Sequence, residues 1–199
     1  MLRFKLFGIW VQISFLFFAV VTVYLILDRS GYGYCGVLAA ITHELGHIIA
    51  YFIVGERPKS VTFSIEGMRI TSSERYLTLG KGIFSLSAGC FTNFAVFIFL
   101  YFGAGSNLEF TRIALVQLSI GLFNLIPVGA LDGGMILRRV LGEFFSVRVA
   151  EFVGVSLSWV IVLPVFAYGI LLLIRDYNVT LVITAAFLIL SLIQNRSSS

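Results

Sequence analysis

Long uncharged hydrophobic runs alternate along the chain with short charged connections. An α-helix rises 1.5 Å per residue, so about 20 apolar residues cross a hydrocarbon core of roughly 30 Å. Six runs are long enough when polar residues embedded in the second are allowed for: 6–27, 31–54, 82–108, 113–131, 152–174 and 177–195. This pattern predicts an all-α polytopic membrane protein with about six transmembrane helices. The fourth run is the weakest, because Pro127 interrupts it.

Two connections have patterns of their own. Between the second and third runs, apolar and polar residues alternate on both sides of a glycine, the apolar ones being Val61, Phe63, Ile65, Met68 and Ile70. This period of two predicts a small β-hairpin between helices 2 and 3. An extended substrate could pair with its edge through Val61, Phe63 and Ile65, or the hairpin could only cover the site. Residues 136–145 mix basic and apolar positions, which is typical of an interfacial helix.

Composition and charge place the chain in the lipid bilayer. It is 59% hydrophobic and 12% charged, against about 45–50% and 25% in soluble domains. With six crossings and an inner N-terminus, the outer loops hold three basic residues, Arg29, Arg112 and Arg175, and the inner segments hold the other eleven of the fourteen. This bias predicts an integral cell-membrane protein with both termini in the cytoplasm. Contact with anionic lipid then explains the basic pI without a nucleic-acid partner.

The second run contains the only two histidines of the chain, His43 and His47, with Glu44 beside them. Four residues apart in a helix, both imidazoles lie on one face and can bind a single zinc ion while the glutamate acts on water. The pentapeptide could also occur by chance. However, an ionised group at the bilayer centre costs roughly 2.5–3.5 kcal/mol on insertion scales, and the rest of the run is uncharged. The motif therefore predicts a zinc protease in the membrane.

A third ligand is predicted near the inner end of the fourth run. His47 and His43 precede Val54 by seven and eleven residues, which is a depth of roughly 10–17 Å. Pro127 and the glycines after Asp132 allow an irregular turn toward that depth. Considered alone, Asp132 is better explained as a carboxylate that ends a helix. Beside an incomplete zinc site it is better explained as the third ligand, with the fourth position left for water.

Three further residues have more than one interpretation. Asn93 and Asn124 either lie near the substrate or only form hydrogen bonds between helices. Cys90 has a depth similar to that of the histidines, but a single buried cysteine is usually a small apolar filler. Cys35 is the only other cysteine, and two cysteines without a CxxC spacing indicate no disulfide framework.

Three segments together resemble the site-2 protease family of intramembrane metalloproteases, and most closely its branch with the stage-four sporulation FB protease. They are His43-Glu44-x-x-His47, Ala88-Gly89-x-x-x-Asn93 and Asn124-x-x-Pro127-x-x-x-Leu131-Asp132-Gly133. The resemblance implies that His43, His47 and Asp132 bind one zinc ion per chain, that Glu44 is catalytic and that Asn124 lies where substrate enters. Ala130 departs from the pattern, since many relatives have proline there.

The resemblance also implies partners. We expect a membrane-tethered protein substrate cleaved near the cytoplasmic face, which in that branch is a sigma-factor precursor in sporulation. Small membrane proteins that restrain the enzyme and a homo-oligomer are further expectations. Residues 1–199 are expected to form a single intramembrane metalloprotease domain, with no PDZ or cytoplasmic regulatory module.

Two other functions remain open from the sequence. A divalent-metal transporter would also have histidine and carboxylate in the membrane, but we would expect its ligands on both sides of the midplane. A non-catalytic membrane scaffold would be expected to lack Glu44 or a ligand, and both are present.

Overall fold

The fold is given by a computed structural model, which describes residues 1–6, 8–56, 58–64, 67–72, 77–103, 107–129, 131–176 and 179–197. The strands are β1 (Leu2–Leu6), β2 (Ile9–Ile13), β3 (Pro58–Ser64) and β4 (Gly67–Ser72). The helices are α1 (Phe15–Leu27), α2 (Tyr32–Ile53), α3 (Leu79–Gly103), α4 (Leu108–Asn124), α5 (Asp132–Phe144), α6 (Val147–Asp176) and α7 (Thr180–Ser197). Two compact units result, Met1–Asn124 and Leu125–Ser199.

The first unit contains a four-stranded sheet of order β1-β2-β3-β4. The predicted hairpin is confirmed as the antiparallel pair β3–β4, in whose backbone register Val61 is paired with Ile70 and Phe63 with Met68. Ile65, the third predicted position, lies outside the described residues. β2 joins β3 in parallel, with Val11 opposite Val61. β3 is therefore interior, and among the described strands the open edges of the sheet belong to β1 and β4.

The pairing of β2 with β3 brings together one end of α1 and one end of α2. The backbone N–H of Ser14, one residue before α1, donates to the carbonyl of Phe63 at 2.9 Å. The start of α1 is thus attached to β3, and β3 follows closely after α2 ends at Ile53. The start of α1 and the end of α2 therefore lie on the same side of the first unit.

Small residues let α2, α3 and α4 approach closely. A Cβ added to Gly46 of α2 would lie 2.7 Å from the backbone oxygen of Ala88 in α3 and would also contact the Thr92 hydroxyl. A Cβ on Gly121 of α4 would lie 2.7 Å from the Phe94 ring. Glycine at such positions brings helix backbones close enough for side-chain hydrogen bonds between helices.

The second unit packs α5, α6 and α7 around an apolar core of Val128, Leu131, Val162, Leu188 and Leu192. The segment before α5 is held by two polar side chains. Arg138 Nη2 donates to the Gly129 carbonyl at 2.8 Å, and the Gly129 N–H donates to Ser158 Oγ at 3.0 Å. The predicted interfacial helix at 136–145 is the later part of α5, and Arg138 holds the loop as well as adding charge.

Within the described residues, three helices are long and apolar enough to cross a membrane: Tyr32–Ile53, Leu79–Gly103 and Val147–Arg175. Two shorter apolar helices are Phe15–Leu27 and Thr180–Gln194. Together with the hydrophobic composition, these helices indicate an integral membrane protein. The count of six crossings stays a prediction.

Three predicted spans differ from the structure: the third, 82–108, continues past the end of α3 at Gly103 to Leu108, where α4 starts. The first, 6–27, is wrong at its start, because Ile9–Ile13 is strand β2 and α1 begins only at Phe15. The apolar residues of β2 satisfy their backbone groups in the sheet and do not continue a helix. The fourth, 113–131, is shifted, because α4 starts at Leu108 and ends at Asn124, before Pro127.

Candidate metal centre

The two histidines lie together on the buried face of α2. His43 is 5% exposed and His47 8% exposed. Their Nε2 atoms are 3.2 Å apart, and the ring planes meet at 84°. Four residues is slightly more than one helical turn, which brings the two imidazoles to one place.

The second nitrogen of His47 contacts the backbone of α3. Nδ1 lies 2.8 Å from the carbonyl oxygen of Ser85. A carbonyl can only accept, so Nδ1 of His47 donates its proton and Nε2 is left with a lone pair. The Ser85 hydroxyl is itself buried, and among the described residues it has no hydrogen-bond partner. Such a group is a natural contact for an ordered water molecule.

His43 is held in the same tautomer by Asn93, one turn beyond Gly89 on α3. Nδ1 of His43 lies 3.1 Å from Asn93 Oδ1, and Asn93 Nδ2 donates to the Ala39 carbonyl at 3.2 Å. Since the Ala39 carbonyl requires the amide nitrogen to face it, Oδ1 must face the histidine. His43 Nδ1 therefore donates, and its Nε2 also has a lone pair.

This arrangement fits a zinc ion. Zinc binds imidazole nitrogens at about 2.0–2.1 Å in tetrahedral geometry, so two such ligands are about 3.3 Å apart. The observed Nε2 separation of 3.2 Å agrees. Two neutral imidazoles cannot hydrogen-bond to each other through two lone pairs, whereas a shared cation binds both. Histidine ligands of metals usually donate their other N–H to an oxygen, as His43 and His47 do.

Gly89 makes room for both rings. A Cβ at this position would lie 2.5 Å from Nε2 of His47 and 2.7 Å from Nε2 of His43. These distances are far shorter than van der Waals contact, so only glycine fits beneath the two nitrogens. Helix α3 therefore contributes Gly89, whose lack of a side chain leaves space for both imidazole rings.

Glu44 and Cys90 lie on the helices that form this centre. Glu44 is half-buried on α2, directly after His43. Cys90 is 1% exposed on α3, and its Sγ lies within 4.8 Å of an imidazole nitrogen of His43. This proximity makes Cys90 a stronger alternative ligand than the sequence indicated.

The residues predicted to contact substrate lie at separate places in the fold. Asn93 is completely buried and bonded to its neighbours, so the structure gives it a role in orienting His43. Asn124 ends α4, where its Nδ2 donates to the Ile120 carbonyl at 3.0 Å, and its role toward substrate stays a prediction. Val61 and Phe63 belong to the interior strand β3, so a substrate cannot add to their strand.

Asp132 is the first residue of α5 and is 6% exposed. The position suits a carboxylate, because the N-terminus of a helix has a partial positive charge. The following glycines pack against the loop: a Cβ on Gly133 would contact the Leu125 carbonyl, and one on Gly134 would contact that of Val128. Asp132 belongs to the second unit, and its joining the histidines stays a prediction.

Sequence reasoning missed three contributors to the histidine site. Gly89 appeared only inside a motif, although its lack of a side chain is what the imidazoles need. Gln117 accepts a hydrogen bond from Asn93 at 2.9 Å, and an amide in an apolar run was an available signal. Ser85 acts through its backbone carbonyl, which no side-chain pattern can indicate.

Comparisons with known proteins give a partial family match and a fold. Residues 103–166, about a third of the chain, match the model of peptidase family M50, which is a family of zinc-dependent metalloproteases. Among solved structures, the chain is similar to the site-2 protease from Methanocaldococcus jannaschii. The TM-score is 0.72 at 22% sequence identity, and the match covers 97% of this chain and 94% of that one. This chain has the site-2 protease fold. No curated protein matches it.

We expect Gly89→Ala to weaken zinc binding strongly, because the new methyl group would overlap Nε2 of both histidines. Zinc content of the purified protein in detergent measures the effect. Gly80→Ala on the same helix is the matched control, since a Cβ there meets nothing within 4 Å. Unchanged zinc content in Gly89→Ala would mean that the ion does not lie at these nitrogens.

Proposed function

We propose that this protein is an intramembrane zinc metalloendopeptidase that cleaves a membrane-tethered protein near the cytoplasmic face. The observation on which the proposal rests is the pair of Nε2 atoms 3.2 Å apart, with Glu44 next to His43 on the same helix. The match to peptidase family M50 and the site-2 protease fold support the same class of reaction.

The proposed ligands are His43, His47 and Asp132, with one zinc ion per chain. For Asp132 the support is its place in the motif, its burial and its position at a helix N-terminus. When bound, the ion acts as a Lewis acid that polarises the scissile carbonyl and lowers the pKa of water toward about 7.

Glu44 is proposed to be the general base and general acid of the reaction. As general base it takes a proton from the attacking water while a C–O bond forms at the peptide carbon. As general acid it gives that proton to the leaving nitrogen while the C–N bond breaks. The hydrogen bonds from Nδ1 of His43 and His47 keep both rings fixed during these steps. The buried position of the histidines limits access of bulk water.

The substrate is proposed to bind in an extended form at the open edge of β4. A helical peptide bond is shielded from attack, and an added β-strand keeps a peptide extended through backbone hydrogen bonds. β4 belongs to the hairpin predicted to bind substrate, and its outer edge is open among the described strands, whereas β3 is paired on both sides. Val61 and Phe63 then support β4 from the neighbouring strand.

We further propose six crossings formed by α1, α2, α3, α4, α6 and α7, with α5 at the interface and both termini cytoplasmic. The shared sheet supports one part of this, because it brings the N-terminal strands and the β3–β4 hairpin to the same side of the first unit. Transport of a divalent metal and a non-catalytic scaffold are the alternatives, and the match to a peptidase family weighs against both.

We expect Glu44→Gln to keep its zinc and lose peptide cleavage, because the glutamate acts on water and is not a ligand. His47→Ala should lose zinc and cleavage together. Zinc content and cleavage of a single-span test substrate in proteoliposomes are measured in parallel. Zinc lost from a folded Glu44→Gln protein would contradict the assigned role, and wild-type protein that binds zinc without cleaving would favour a transporter or a scaffold.

Asp132→Ala should reduce zinc content sharply, since it removes the only charged ligand of the proposed set. Glu143→Ala, which changes an exposed carboxylate on the same helix, is the matched control and should retain the ion. If Asp132→Ala still holds one zinc per chain, the proposed ligand set is wrong. Cys90→Ala then tests whether the thiolate is the ligand instead.

Substrate pairing with β4 should be visible by disulfide cross-linking. We expect a substrate with one cysteine near its cleavage site to cross-link to Thr71→Cys on β4 and not to Arg3→Cys on β1, the other open edge. The native cysteines are both buried, so they interfere little. Cross-linking to β1 alone, or to neither strand, would exclude β4 as the docking edge.

A further inference from the structure

Gln117 is a buried amide in the middle of α4. It is 1% exposed, although an amide in an apolar helix must find partners within the protein. Its Oε1 lies 2.9 Å from Asn93 Nδ2 on α3 and 3.0 Å from Thr42 Oγ1 on α2. One oxygen on α4 thus meets polar groups from both helices of the histidine site.

The contact with Asn93 bears on which way that amide points. Asn93 Nδ2 has two acceptors, the Ala39 carbonyl at 3.2 Å and Gln117 Oε1 at 2.9 Å. Both favour the orientation in which Oδ1 faces His43 Nδ1 at 3.1 Å. Without Gln117, a single longer hydrogen bond to Ala39 opposes rotation of the amide.

The orientation of Asn93 decides whether His43 can bind a metal. If the amide turned over, its NH₂ would face Nδ1 of His43, and that nitrogen would have to accept. The imidazole proton would then sit on Nε2, which could no longer act as a ligand. Metal affinity therefore depends on an amide that Gln117 helps to orient.

We propose that Gln117 is a positioning residue of the metal centre, which acts through the Asn93 amide to hold His43 in its metal-binding tautomer. The proposal deepens the proposed function and rests on it. The hydrogen bonds of Gln117 are with Asn93 and Thr42, so it is linked to His43 through the Asn93 amide. Its effect should therefore appear first in metal affinity, and cleavage should follow from zinc occupancy.

The experiment compares Gln117→Leu with Gln117→Glu. Leucine removes the acceptor, and we expect zinc affinity to fall by up to about 10–100-fold, the loss typical when a direct partner of a metal-binding histidine, here Asn93, no longer orients it. Glutamate keeps an oxygen for Asn93 and Thr42, so affinity should stay close to wild type. Ser119→Ala, on the exposed side of α4, is the control and should change nothing. Zinc affinity is measured by competition with a chromogenic chelator, and cleavage is measured at limiting and at saturating zinc.

A second change separates positioning from structural support. Asn93→Asp puts a carboxylate beside His43 Nδ1, and a carboxylate accepts through either oxygen without needing to be oriented. In the Gln117→Leu background it should therefore restore zinc affinity, although it cannot restore the lost packing or hydrogen bond on α4. If Gln117→Leu does not fold, Gln117→Met provides the same comparison with an unbranched side chain.

The outcomes are distinct. Wild-type affinity in Gln117→Leu, or an equal loss in Gln117→Leu and Gln117→Glu, would overturn the positioning role. The same holds if the loss follows the unfolding temperature and Asn93→Asp does not restore it. Wild-type protein that binds no zinc would instead refute the proposed function, whatever the Gln117 variants do.

Discussion

The arrangement of this site depends on the two hydrogen bonds donated by the Nδ1 atoms of His43 and His47. Each fixes a tautomer, and together they turn two lone pairs toward one point, with the Nε2 atoms 3.2 Å apart. Such convergence is unfavourable without a positive charge, since neither nitrogen can donate to the other. The acceptors, Asn93 Oδ1 and the Ser85 carbonyl, both lie on α3. The histidine site is therefore a property of the α2–α3 pair and not of the pentapeptide alone.

Close packing in an apolar setting is what allows a buried polar network to exist. Lipid offers no hydrogen bonds, so each buried amide and imidazole must find its partner on a neighbouring helix. Gly46 and Gly121 let the helices approach, and Gly89 leaves space for the rings. The same glycines that weaken a helix by about 1 kcal/mol each in water thus permit the contacts that hold this centre. Packing and chemistry depend on the same positions.

The sequence predicted the parts of this arrangement that have local signals. The four-residue spacing of His43 and His47 predicted that they share one face of α2. The alternation of apolar and polar residues predicted the β3–β4 hairpin. β2 was missed because its residues continue the apolar run of α1, and such a run does not distinguish strand from helix. β1 lies almost entirely before that run, where Arg3 and Lys5 alternate with apolar residues, and this short alternation was not used. Ile9–Ile13 is paired as a strand on both sides, antiparallel with the neighbouring β1 and, over Trp10–Ile13, parallel with β3, about fifty residues away. The roles of Gln117 and the Ser85 carbonyl likewise depend on how three helices are rotated, which composition does not encode.

The sheet and the histidines are linked through the end of α2. His47 precedes Val54, the residue after α2, by seven positions, or about 10 Å along the helix axis. An extended peptide covers that distance in about three residues. A substrate held on the sheet would therefore need to unwind only a few residues of its own helix to reach the depth of the Nε2 atoms. Since exposing unpaired backbone in lipid is costly per residue, a metal site about two helical turns from the end of α2 would keep that penalty small for a substrate bound as proposed.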